Sequence, residues 1–491
     1  MYTPINSTNG NVNRNVKYVN RDFSELRGSL IEFAKTYFPT TVNDFTPASP
    51  ATMFIEMAAY VGDVMSFYTD NQIQENFTQY ARQANNQYAL AYMMGYKPKV
   101  STAASADLDV YQQVPAIQDG SDWVPDYRYA LIIDENTVVN SSNANVTTNF
   151  ITQDKVDFTV SSSADPTTVS VFEMSGNNPA TFLLKKTVKA ISATITTKTF
   201  TIGEGTRFET LEISDSNILG ILDVTDSENN DWTEVDYLAQ ETVYQTVRNT
   251  SPFNTDPTGE SDAAEVPNLL RLRKAPRRFV SRFLNKTTLQ LQFGAGTTDD
   301  QDEQLIPNPD NVGLNLGSSQ SKLTTAFAPN NFLFTKTYGI APSNTTLTVR
   351  YLTGGGVAAN APALSLDTID ANSARFSVTG LDATEADIVF DSVAVSNASA
   401  ASGGGSGDDA QDLRQNTLAA FATQQRAVTK DDYVVRALSM PSEYGAIARV
   451  HAETPRLDAL LPGESAGSVD LYVTAFDANG NFTPASRTLK N

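Results

Sequence analysis

Apolar positions along this chain change their period twice. From residue 23 to about 97 they recur at helical spacing. Phe23, Leu26, Leu30, Phe33, Ala34 and Tyr37 fall on one helical face, which Pro39 stops. Asp22-Phe-Ser-Glu25 at its start has the form of a capping box. Thr46-Pro-Ala-Ser-Pro50 opens a second helix, predicted to reach about Asn76, with Ser49 placed to cap it and Pro50 suited to its first position. A third is predicted from about Thr78 to Gly95, with Pro98 beyond it as a stop. Residues 21–100 therefore read as an N-terminal helical bundle, and the polar, Asn-rich residues 1–20 as an arm.

From about residue 104 the period falls to two. Asp107-Leu-Asp-Val-Tyr111, Ala190-Ile-Ser-Ala-Thr-Ile195, Lys198-Thr-Phe-Thr-Ile202 and Leu289-Gln-Leu-Gln-Phe293 alternate as half-buried strands do. Residues 101–340 are expected to form a β-rich middle of one or two β domains. Thr346-Leu-Thr-Val-Arg350 and its neighbours, set between Gly- and Ala-rich turns, suggest a separate small sandwich at 341–402. Gly403-Gly-Gly-Ser-Gly407 reads as a linker within 403–410. Helical spacing returns at 411–421 and after Thr429-Lys-Asp-Asp432, another capping-box pattern, and strands are predicted near 447–452 and 469–476. Residues 411–491 thus read as a small C-terminal α+β module, and the whole as α+β and multidomain.

At 491 residues the chain is long enough for about three domains. Its 35 Lys and Arg against 56 Asp and Glu give a net charge of −21, a poor match to phosphate-bearing partners. The same charge holds free subunits apart. With no cysteine there are no disulfides, thiolate zinc sites or cysteine nucleophile. No apolar run approaches the ~20 residues of a membrane span. Met1-Tyr-Thr-Pro-Ile5 shows no basic region leading into an apolar stretch, so no signal peptide is expected and cytosolic assembly fits.

Catalytic chemistry finds little to work with. His451 is the single histidine and no G-x-S-x-G accompanies it, so it reads as a surface or interface residue rather than a triad base. Asp299-Asp-Gln-Asp-Glu303 and Asp477-Ala-Asn-Gly-Asn481 read as solvated turns rather than calcium loops. Ile202-Gly-Glu-Gly205, Gly354-Gly-Gly356 and Gly403-Gly-Gly405 lack the Gly-Lys-Ser/Thr ending of a phosphate loop. No catalytic residue, cofactor site or metal site is predicted.

Two patterns point to interfaces. Phe54, Met57, Val61, Val64 and Tyr68 on the second helix are spaced three, four, three and four, as in a heptad seam. Met53, Tyr60 and Phe67 run beside it and Met65 widens the apolar surface. Such a helix can be the core of its own bundle. A girth this apolar favours partial burial between subunits instead. The second pattern is the basic run from Arg271 to Arg282, in which Arg271, Arg273, Lys274, Arg277, Arg278 and Arg282 are cationic. In so acidic a chain, pairing with acidic surface of another subunit or of this chain is favoured over nucleic acid.

Several stretches together resemble the baseplate wedge subunits of contractile-tailed phages, the baseplate J-like family. They are Tyr18-Val-Asn-Arg-Asp-Phe-Ser-Glu-Leu26, Ser49-Pro-Ala-Thr-Met-Phe-Ile-Glu-Met57, Gly62-Asp-Val-Met-Ser-Phe-Tyr68, Asp231-Trp-Thr-Glu-Val-Asp-Tyr-Leu-Ala239, Arg277-Arg-Phe-Val-Ser-Arg282, Phe293-Gly-Ala-Gly296 with Ile306-Pro-Asn-Pro-Asp-Asn-Val-Gly313, and Ala427-Val-Thr-Lys-Asp-Asp-Tyr433. The resemblance implies a non-enzymatic scaffold of the virion tail, assembled in the host cytoplasm. It implies homodimers that join other wedge proteins, including a sheath-initiating or lysozyme-like wedge subunit, in a ring around the hub that rearranges on contraction. Neither nucleic acid nor membrane is implied as a partner. Longer members continue past the position of Asn491 with further helix and strand. The competing readings are a receptor- or carbohydrate-binding tail module, which would need an aromatic groove although only Trp123 and Trp232 are present, and a tail-associated hydrolase.

Overall fold

The computed structural model describes residues 22–141, 148–161, 165–248, 268–296, 338–454 and 468–490, apart from 371 and 373. The expected arm at 1–20 and the motifs at 299–303 and 306–313 lie outside these residues. The protein is α+β and multidomain, 25% helix and 37% strand, with N-terminal helices and a β-rich middle. It divides into two compact units, residues 1–90 and 91–491.

In the first unit α1 (Phe23–Tyr37) packs on α2 (Pro50–Glu75). The contact is close because Gly62 has no side chain: a Cβ there would come within 3.1 Å of Leu26 Cδ1. Beside it Arg27 Nε donates to Glu56 Oε1 at 2.9 Å. Both helices start where the pattern predicts, but neither Asp22 nor Ser49 makes a side-chain cap bond. Asp22 is exposed, so water can serve the free amides of α1, and Pro50 leaves α2 with one free amide fewer at its start. The third helix, α3 (Ala84–Met93), begins six residues later than expected. Glu75 explains the delay: its carboxylate accepts from Arg82 N at 3.0 Å, Gln83 N at 3.2 Å and Asn86 Nδ2 at 3.0 Å. The end of α2 thereby ties down the start of α3, and residues between them turn.

The second unit is built on two sheets. In the eight-stranded one, strand Ser105–Asp119 runs antiparallel to Asn178–Ile191, in register from Ser105↔Ile191 to Pro115↔Thr181. Its inward positions Leu108, Val110, Phe150 and Leu184 are buried in one core with Leu131 and Ile133 of a three-stranded sheet. In the seven-stranded one, Thr345–Gly354 lies between Ala193–Ile202 and Ile218–Thr225, over a core of Trp232, Phe279, Leu291, Phe293, Leu347 and Val349. The chain passes from one sheet to the other at Ser192, whose Oγ accepts from Ala104 N at 2.7 Å while its own N–H donates to Ala104 O at 2.8 Å. The alternation at 190–195 therefore spans a corner between two strands rather than one strand. Ala103, Ile151, Ile191, Ala193, Leu219 and Leu352 form a further buried cluster that draws on strands of both sheets.

The segment 341–402 does not make a sheet of its own among the described residues. Thr345–Gly354 enters the seven-stranded sheet, Thr368–Ile369 and Ala394–Ser396 join the eight-stranded one, and Arg375–Phe376 pairs with Leu131–Ile133. Helix α4 (Ala383–Asp391) buries Val389 in the first core. Nor do the glycines after 402 form a loose linker. Gly403 and Gly404 are buried, Ala446 N donates to Gly403 O at 2.8 Å, and Gly404 N donates to Asn360 Oδ1 at 2.8 Å. Gly403 adopts φ +92°, and a Cβ on Gly404 would lie 2.5 Å from Gly356 O. Glycine is needed here for close backbone approach.

Helix α5 (Ala410–Thr423) is capped by Asp409, and α6 (Lys430–Leu438) carries the predicted capping box between Thr429 and Asp432. Strands Arg449–Glu453, Asp470–Phe476 and Phe482–Pro484 follow, then α7 (Arg487–Lys490). Asp408 anchors α5: its carboxylate accepts from Tyr96 Oη at 2.8 Å, Lys99 N at 2.9 Å and Asn416 Nδ2 at 3.2 Å. Burial pushes this carboxyl above its ordinary value, and burial together with Asp408 pushes the Tyr96 phenol up as well.

Candidate interaction surfaces

Helix α2 turns its small and polar residues inward. Thr52 and Ala59 are buried, and Ile55, Glu56, Gly62, Asp63 and Ser66 are half-buried, at the three-and-four spacing of one helical stripe. The large apolar residues stand outside. Phe54 is 61% exposed, Phe67 65%, Tyr68 64% and Met65 64%. Of the expected seam, Phe54, Met57, Val61 and Tyr68 are exposed and Val64 is half-buried. The seam is therefore not covered by its own bundle among the described residues.

The same exposure recurs around it. Phe33, Tyr37 and Phe38 at the end of α1, and Phe77 and Tyr80 after α2, are exposed. Phe33 and Tyr37 lie on the predicted apolar face of α1, of which only Ala34 is buried. Their periodicity signals an apolar face but not which body covers it. Scattered exposed apolar residues are ordinary, whereas a concentration of this size on one helix marks an interaction surface.

The basic run does not act as one patch. Arg271 and Arg273 are exposed on strand Asn268–Lys274, and Arg282 is exposed on Arg278–Asn285. Arg277 is half-buried with its Nε 3.8 Å from Asp226 Oδ2. Arg278 is only 1% exposed, and its guanidinium donates to Leu238 O at 2.6 Å and Ala275 O at 2.9 Å. This corrects the expectation that Arg278 pairs with another subunit. The Pro276 turn places Arg278 first in a core strand, where its side chain serves carbonyls of its own chain.

The remaining polar features also serve the chain's own structure. A cleft of ≈ 770 Å³ in the second unit is lined by Lys97, Glu234, Asp236, Ser281 and Glu443 among others. Lys97 pairs with Asp236 at 2.9 Å and the Ser281 hydroxyl donates to Glu234. Burial, with the nearby Glu234, pushes Glu443 up. In the turn at 477–481, Asp477 Oδ1 accepts from Asn479 N and Asn481 N, both at 2.8 Å, and these bonds hold its carboxyl below the ordinary range. The motif is an Asx turn. His451 is exposed on strand Arg449–Glu453, its ring 6.4 Å from that of Tyr472. No group of metal-ligating side chains occurs among the described residues, and no described helix is long and apolar enough to cross a membrane.

Residues 23–93, which hold the exposed helices, match a protein-family model described as bacteriophage baseplate protein, N-terminal domain. The match supports a phage baseplate protein. It places this chain in the tail of the virion as a structural component. The matched span begins at the first residue of α1 and ends at the last of α3, so the baseplate domain comprises all three N-terminal helices. No curated protein matches the chain.

Proposed function

We propose that this baseplate protein is a non-enzymatic wedge subunit of a contractile tail, of the J-like kind its sequence resembles. In this reading it forms homodimers, joins other wedge proteins through its N-terminal helices, and builds the ring around the hub that rearranges on contraction. The observation that carries the reading is the outward apolar face of α2. Phe54, Met57, Tyr60, Met65, Phe67 and Tyr68 leave a large surface in water unless another chain covers it. The engagement of the cleft's polar groups by one another, and of Asp477 by its own turn, agrees with a scaffold rather than a catalyst.

The test is co-expression of the chain with the other tail proteins of its phage, followed by purification and negative-stain imaging with a label on this subunit. Wedge-shaped complexes and label at the ring of the tail tip support the reading. Label at fibre tips, or a chain that stays monomeric beside all its tail proteins, would overturn it.

A further inference from the structure

Strands Thr242–Arg248 and Asn268–Lys274 pair only with each other, from Thr242↔Lys274 to Arg248↔Asn268. Among the described residues no third strand joins them. A two-stranded ribbon alone is at best marginally stable in water. The register sorts the side chains of residues 242–247 and 269–274 into two faces. Val243, Gln245, Val247, Leu269, Arg271 and Arg273 share one, and Thr242, Tyr244, Thr246, Leu270, Leu272 and Lys274 the other. Both faces meet solvent: Arg271, Arg273, Val247 and Leu269 on the first, Leu270 on the second at 72%.

The charge of this element is opposite to that of the chain. Residues 242–247 and 269–274 hold three cations and no carboxylate, in a protein of net charge −21. We propose that the ribbon is a docking arm whose Arg271–Arg273 face seats on acidic surface of a second copy of this chain. The occupant follows from complementarity. The two arginines stand one pleat apart with Leu269 and Val247 beside them, which suits a carboxylate-rimmed apolar patch. Outside the ribbon the chain holds many more acids than bases, so another copy offers predominantly acidic surface. Otherwise like-charged copies would repel. An arm on one copy and its seat on the next make a heterologous contact, which propagates into a ring or an open filament. The contact is separate from the α2 face.

The experiment uses the full chain carrying Phe54→Ser and Phe67→Ser, so that α2 does not contribute. Sedimentation velocity is run from low to high ionic strength, with and without Arg271→Glu and Arg273→Glu. The expected result is self-association at low salt that weakens as salt rises, and that the charge reversal weakens by at least about tenfold. Arg271→Lys with Arg273→Lys should retain most of it. Unchanged thermal unfolding of the charge-reversed chain shows that the fold is intact. Self-association equal in both charge states, or none at low salt, overturns the proposal. So does tight salt-sensitive binding of duplex DNA that the reversal abolishes, since the face would then serve phosphate.

Discussion

Replacing Phe54 and Phe67 with serine tests the surface that carries the functional reading. Complete burial of a large apolar side chain contributes about 1.5–3 kcal/mol. These rings are already about a third covered, being 61% and 65% exposed. Each therefore has about 1–2 kcal/mol still to gain on association. Summed over the eight large apolar residues of α2 with more than half their surface in water, the gross gain is about 8–16 kcal/mol per helix. Association costs about 4–15 kcal/mol, so the face can sustain assembly only if most of it is used. The double variant forfeits about 2–4 kcal/mol, or roughly 30- to 700-fold in dissociation constant. The lone chain should hardly notice, because such exposed substitutions change stability by about 0.5 kcal/mol or less. Sedimentation velocity with co-expressed tail proteins reads the first quantity and thermal unfolding of the chain alone reads the second. A variant that assembles as tightly as the parent refutes the argument. A variant that loses several degrees of melting temperature while assembling normally shows that these rings serve the single fold.

Arg278→Met should lower stability by about 2–4 kcal/mol, because Leu238 O and Ala275 O lose buried donors. Arg282→Ala should stay within about 0.5 kcal/mol, and urea midpoints compare the two. Asp408→Asn tests a pH dependence. Burial raises the folded carboxyl above 3.8, so the native state holds this proton more tightly than the unfolded chain. The stability contributed by this group therefore falls as pH rises through the interval above 3.8, and the parent should gain on the variant as pH is lowered through it. Urea midpoints at a series of pH values read this difference. Thr429→Ala removes the side-chain acceptor for Asp432 N and should cost about 1 kcal/mol, seen as faster amide exchange at the start of α6, while Thr429→Ser keeps it.

Local pattern made much of the fold legible, and failed where a distant partner decides. The capping box at Thr429 forms because both of its members lie within one turn. The alternation at 346–350 correctly signalled a strand, but its neighbours Thr197 and Val224 are over a hundred residues earlier, so an independent sandwich was a natural misreading. The glycines at 403–405 look flexible in sequence and are instead packing contacts, which only the approach of Gly356 and Asn360 reveals. The α2 seam was visible as periodicity. Its apolar girth points to burial between subunits, but the residues that line the inner face are not legible, because Thr52, Ala59 and Gly62 give no apolar signal there.

Salt should act in opposite directions on the two surfaces. Apolar contact across α2 gains its free energy at short range from water release, while two copies of net charge −21 repel over a longer distance. That repulsion is screened within about 8–10 Å at physiological ionic strength. Raising salt from low values should then strengthen association through α2. The ribbon works by attraction between opposite charges, which the same screening weakens. The parent chain should therefore show association that falls and then recovers as salt rises. With Phe54→Ser and Phe67→Ser only the falling limb should remain, and with Arg271→Glu and Arg273→Glu only the rising one. Sedimentation coefficients across one salt series distinguish these three shapes. A common trend in all three proteins would mean that a single kind of contact governs assembly, and the division of labour between helix and ribbon would be wrong.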